Sequence, residues 1–94
     1  MITFNISGFL TEFTDGKKQL TVTASPGTVG EALTQLWQLH VGLRDRVLNE
    51  QGQVRPHVNI FLNNENLRYQ QGLQTTLADG AEITILPAVS GGEP

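Results

Sequence analysis

The chain has 94 residues, 38% of them hydrophobic and 16% charged, with a formal charge of −3 and no cysteine. That length supports one small core, and the missing thiols exclude disulfides, thiolate metal sites and a cysteine nucleophile; six scattered basic residues in an acidic chain argue against nucleic acid as a primary partner. No run reaches the ~18 apolar residues of a membrane span and none has the form of a secretory signal, so a cytoplasmic protein without a membrane partner is expected.

Ile2, Phe4 and Ile6 alternate with Thr3, Asn5 and Ser7, the period of a strand with one buried side. Gly8 to Lys18 reads as a long loop with an Asp15-Gly16 turn. Leu20, Val22 and Ala24 then alternate with Thr21 and Thr23, which predicts an antiparallel hairpin. Ser25-Pro26-Gly27 breaks the second strand. Thr28 and Glu31 have the spacing of a capping box, and Val29, Ala32, Leu33, Leu36, Trp37 and His40 recur at helical spacing. One amphipathic helix is predicted from Thr28 to about His40, stopped at Gly42. Leu43 to His57 is polar and reads as irregular, with at most one short turn at Leu43, Val47 and Leu48.

Val58, Ile60 and Leu62 alternate with Asn59 and Phe61 as a third strand, followed by an Asn63-Asn64 turn. Leu67-Arg68-Tyr69 predicts a short edge strand. After the Asp79-Gly80 turn, a last strand runs from about Glu82 to Leu86. The order of elements predicts an α+β fold, a β-grasp roll. Its mixed sheet has four to five strands, with one main helix on one face. Residues 1–88 make that domain; residues 89–94 lack periodicity and read as a flexible tail.

The stretch from Leu73 to Gly92, LQTTLADGAEITILPAVSGG, resembles the MoaD/ThiS family, in which an Asp-Gly turn, an aliphatic strand and a Pro-containing segment lead to Gly-Gly. VNIFLNNENLRY, Val58 to Tyr69, is similar to the sulfur carriers of O-phosphoserine-dependent cysteine biosynthesis. The resemblance covers nearly the whole chain and implies a ubiquitin-like sulfur carrier that is not itself an enzyme and binds no cofactor. It implies an adenylating, sulfur-transferring partner of the ubiquitin-activating type, which uses ATP to join the Gly92 carboxylate to AMP. Sulfide or a persulfide then leaves a thiocarboxylate, which serves a PLP-dependent acceptor enzyme of the cysteine-synthase kind. Molybdopterin, thiamine, tRNA thiolation or a specialised metabolite are alternative destinations. A protein modifier joined to lysines, or an interaction domain that is never activated, are the alternatives of a different class.

Gly91 and Gly92 suit such a terminus, because glycine has no Cβ and threads a narrow channel at almost any backbone angle. The family pattern ends at the second glycine, whereas this sequence continues with Glu93 and Pro94, and proline adds bulk and a fixed φ. Removal of Glu93-Pro94 is therefore expected, and the resemblance implies a JAMM-type metalloprotease as the agent.

If Ile2, Phe4, Ile6, Leu20, Val22, Val58, Ile60, Leu62, Ile83 and Ile85 face the helix, the other sheet face is polar except for Phe61 and Leu86. Those two positions match the hydrophobic recognition patch of ubiquitin. With Phe9 from the first loop they are expected to form a docking patch for the activating enzyme. Trp37 reads as core, His40 as a cap or packing residue, Asp79 as a turn residue, and Arg44, Arg46 and Arg55 as a solvated loop. Neither these nor His57 form an acid–base or nucleophile–base set, and two histidines without cysteine make a metal site hard to assemble.

Overall fold

The alternation at the start of the chain is expressed as strand β1 (Ile2–Ile6), which buries Ile2, Phe4 and Ile6 and leaves Thr3 and Asn5 half-buried on the other face. β1 pairs antiparallel with β2 (Gln19–Val22) and parallel with β5 (Glu82–Pro87). β5 also pairs antiparallel with β3 (Val58–Leu62), whose outer edge carries the two-residue β4 (Glu65–Asn66). The order β2-β1-β5-β3-β4 is the mixed β-grasp sheet that the sequence predicts, with the last strand at its centre. The computed structural model describes residues 1–23 and 27–87. Ala24, Ser25-Pro26, Ala88 at the end of the predicted domain and the tail at 89–94 lie outside them.

Helix α1 (Val29–Leu39) begins where the capping box places it. The Thr28 hydroxyl accepts from the Glu31 amide at 3.2 Å, and the Glu31 carboxylate accepts in return from the amides of Gly27 and Thr28 at 2.7 and 3.3 Å. These bonds satisfy N–H groups that a helix start otherwise leaves without partners. Val29, Ala32, Leu33 and Leu36 form its buried stripe against the sheet, and Trp37 packs half-buried beside them. The sheet contributes Phe4, Val58, Ile60, Ile83 and Ile85 to the same core.

Three segments differ from their sequence reading. The first loop contains a 3-10 helix, Gly8–Phe13, that turns Leu10 completely into the core. The polar stretch after α1 opens with α2 (Val41–Val47), whose Leu43 and Val47 are four residues apart and fully buried. Gly42 therefore lies inside a helix, and His40 ends α1 and precedes α2 without a side-chain cap. Leu43, Val47 and Leu48 gave too short a periodic signal to reveal more than a turn there. The predicted edge strand at Leu67–Tyr69 is a 3-10 turn, with pairing displaced to Glu65–Asn66. The Asn66 side chain accepts from the Arg68 amide at 2.9 Å and bends the chain there, so Leu67 enters the core while Tyr69 stays exposed.

Because Leu10 fills the end of the core from within an apparent loop, Leu10→Ala is expected to destabilise the fold by about 2–5 kcal/mol. Urea unfolding measures it, and a loss under about 0.5 kcal/mol would show that the first connection is not structural.

Candidate functional site

The candidate site, the exit, is the end of β5 at Pro87, the last described residue before the Gly91-Gly92 terminus. β5 is flanked along its length by β1 and β3, with Ile6 opposite Ile85 on one side and Val58 opposite Pro87 on the other. The Ser7 amide donates to the Ile85 carbonyl at 3.1 Å, which ties the end of β1 to the end of β5. Pro87, the last described residue of β5, has no N–H to donate to a ladder.

Gly8 fits against this exit for two reasons. Its φ is +64°, and a Cβ there would lie 3.1 Å from Cγ of Pro87. Only glycine adopts that backbone without strain while letting the proline ring approach so closely. The sequence gives no sign of this contact between distant residues.

Phe61 and Leu86 lie on the open face of neighbouring strands. Phe61 is opposite Thr84 and Leu86 opposite Asn59, so the two apolar residues are diagonal neighbours. Both are half-buried. Around them the polar side chains largely satisfy one another: Gln19 donates to Asn5 at 3.1 Å and Asn5 donates to the Thr84 hydroxyl at 3.3 Å. Phe61 and Leu86 therefore stand as an apolar pair in a flat field of amides and hydroxyls.

Phe9 goes elsewhere. The 3-10 helix that rolls Leu10 inward leaves Phe9 exposed, lining a shallow depression with Asp45, Arg46, Arg55 and His57. The structure thus brings Phe61 and Leu86 together but places Phe9 among residues of α2 and the loop before β3. Gly91, Gly92, Glu93 and Pro94 lie outside the described residues.

At the opposite end of β5, Asp79 pairs with the Met1 ammonium, which by hydrogen bond and charge holds its carboxyl below the ordinary carboxylate range. Among the described residues no group of three or more His, Asp or Glu side chains is placed to hold a metal ion. No described helix is long and apolar enough to cross a membrane.

A mixed sheet with a central last strand and one principal helix on one face define a β-grasp domain of the ubiquitin-like kind. The ThiS family matches residues 5–92, and the chain belongs to that family. It is 38% identical over 93 residues to the sulfur carrier protein CysO of Mycobacterium tuberculosis, covering 97% of this chain and 98% of that one. The crystal structure of that CysO superposes with a TM-score of 0.84 at 33% identity, over 95% of this chain and 100% of the other. A chain of the BexX/CysO complex from Amycolatopsis orientalis gives a TM-score of 0.86 at 32% identity, over 98% and 100%. Small archaeal modifier protein 1 of Haloferax volcanii gives 0.80 at 29% identity, over 97% and 98%.

Gly8→Ala should lower stability by about 1–3 kcal/mol through the left-handed backbone and the contact with Pro87. Thermal unfolding reads this, and an unchanged midpoint would show that the exit does not depend on that close approach.

Proposed function

We propose that this protein carries sulfur as a thiocarboxylate on Gly92, formed after Glu93-Pro94 is removed. The observation that carries the reading is the family match over residues 5–92, which runs to the second glycine of Gly91-Gly92 and leaves Glu93 and Pro94 beyond it. The similarity to proteins named as sulfur carriers over nearly the full chain supports it further.

The chemistry asks little of the domain and much of its terminus. An adenylating enzyme of the ubiquitin-activating type brings the Gly92 carboxylate to the α-phosphorus of ATP, forming an acyl-adenylate as pyrophosphate leaves. Sulfide then attacks the acyl carbon, AMP departs with the C–O bond, and the second proton of the sulfide goes to solvent. The thiocarboxylate sulfur attacks an electrophile held by a second enzyme. A PLP-dependent enzyme of the cysteine-synthase type is the proposed acceptor, on the strength of the CysO likeness. A JAMM-type metalloprotease is the proposed agent of trimming.

In this reading the chain supplies no acid, base or metal. Its core holds the exit at a fixed place, its two glycines pass where side chains would not, and the Phe61–Leu86 pair docks on the activating enzyme. An aromatic anchor with an aliphatic neighbour in a polar surround is a suitable hot spot. That CysO of Amycolatopsis orientalis is found in complex with a second protein, BexX, fits a carrier that works by docking.

A second reading, a protein modifier, is favoured by the likeness to small archaeal modifier protein 1. Incubation of the Gly92-terminated form with its adenylating enzyme, ATP and sulfide should give a mass gain of one oxygen-to-sulfur exchange. A ladder of lysine conjugates in cell extract, with no thiocarboxylate, would favour the modifier. The form that retains Glu93-Pro94 should not be adenylated, and equal adenylation of both forms would remove the need for processing. Phe61→Ala should keep the fold and weaken the activating complex by about 2 kcal/mol, roughly thirtyfold in Kd; loss of folding would instead make Phe61 a structural residue.

A further inference from the structure

In a chain of net charge −3, two guanidinium groups, those of Arg46 and Arg55, line the depression beside the exit. Gly8 and Val58 flank Pro87 on its two sides. Their chain neighbours, Phe9 and His57, share one depression with Asp45, Arg46 and Arg55. Asp45 is the acidic member, and its carboxylate is 3.4 Å from the Arg44 guanidinium. Glu12 lies one turn beyond Phe9 in the same 3-10 helix, and Asp15 follows that helix.

These cations are held in place rather than left to sweep through solvent. Arg55 donates through Nε to the Asp45 carbonyl at 2.9 Å, and its amide donates to the Val47 carbonyl at 2.9 Å. Its two terminal guanidinium nitrogens have no partner among the described residues. Arg46 stacks over the Phe13 ring, 4.8 Å from its centroid. Arg68 donates to the carbonyls of Pro56 and Val58 at 2.9 and 3.0 Å, which pins the loop carrying Arg55 and His57 to the start of β3. A guanidinium already fixed through one nitrogen loses little freedom when its remaining donors meet a carboxylate.

The tether length decides what this surface meets. From Pro87 to Gly92 are five residues, at most about 18 Å when fully extended. A partner that takes the Gly92 carboxylate into its active site must therefore bring the rim of that site close to the exit. We infer that the Phe9–Arg46–Arg55–His57 surface is a second docking site, which seats on a carboxylate-rich rim around the tail-receiving channel of the activating enzyme. This rests on the proposed function and adds to it the charge of the partner's surface at that point. The open-face pair Phe61 and Leu86 supplies apolar contact, and the exit surface supplies orientation and encounter rate, as charged rims do.

The test uses the Gly92-terminated chain, so that Glu93 cannot compete, with its cognate adenylating enzyme and ATP, following pyrophosphate release at low and high salt. R46Q/R55Q and Q35E/Q38E change the net charge by the same two units, the first at the exit and the second on α1. For R46Q/R55Q, KM is expected to rise about tenfold at low salt with kcat unchanged, and the salt dependence of kcat/KM to flatten. Q35E/Q38E should match the parent. R46K/R55K, which keeps the charge, should recover most of the loss even if the Nε bond has a structural share. Equal KM and equal salt slopes for R46Q/R55Q and the parent would overturn the exit surface while leaving the carrier intact. Equal losses in the two charge-matched variants, or no recovery with lysine, would overturn it too. A parent chain that is never adenylated would instead bring down the carrier reading, and this inference with it.

Discussion

The pairing of β5 between β1 and β3 is the constraint on which the rest of the structure depends. A terminal strand at the edge of a sheet can fray, whereas one bonded on both sides opens only if the sheet opens with it. Here the parallel partner is the first strand of the chain and the antiparallel partner is β3, so the sheet's two halves meet on its last strand. Ile83 and Ile85 are fully buried in the same core as the apolar residues of α1 and α2. The end of β5 at Pro87 is thereby fixed to the core.

The two faces of the sheet divide the work. On the helix side, the burial of Phe4, Leu33, Leu36, Leu43, Val58 and Ile85 supplies apolar transfer energy that holds the fold. On the open side, side-chain hydrogen bonds among Gln19, Asn5 and Thr84 keep the surface polar and flat, with Phe61 and Leu86 standing out in it. At the exit itself the requirement is steric: Gly8 makes room for Pro87, and the neighbouring loop is held by Arg68 bonding to backbone carbonyls.

Regular periods were legible in the sequence and tertiary bonds were not. The alternation in Ile2–Ile6, Val58–Leu62 and Glu82–Leu86, and the Thr28–Glu31 capping pair, each satisfy a local rule, and each appears in the structure, the last strand one residue longer at Pro87. α2 was read as no more than a turn because Leu43, Val47 and Leu48 set too short a period. The edge strand was placed two residues late because a single Asn66 side-chain bond overrode the β-propensity of Leu67–Tyr69. Phe61 and Leu86 follow from strand parity, so sequence alone found their shared face. Phe9 sits in a 3-10 turn, where parity gives no guide, and it joined a different set of residues. Of the arginines read as a solvated loop, Arg44 and Arg46 lie in α2, Arg46 over the Phe13 ring, and Arg55 bonds a main-chain carbonyl, contacts that no spacing rule reveals.

The functional account rests on a domain that fixes one exit point and a terminus that reacts there. Intact-mass spectrometry of the protein isolated from its native cells, grown with ample sulfur, tests that most directly. The account predicts a population ending at Gly92 that bears sulfur in place of one carboxylate oxygen, lost on treatment with a thiol-alkylating reagent in favour of the alkylated form. A population that keeps Glu93-Pro94 throughout, with no sulfur at its terminus, would contradict it.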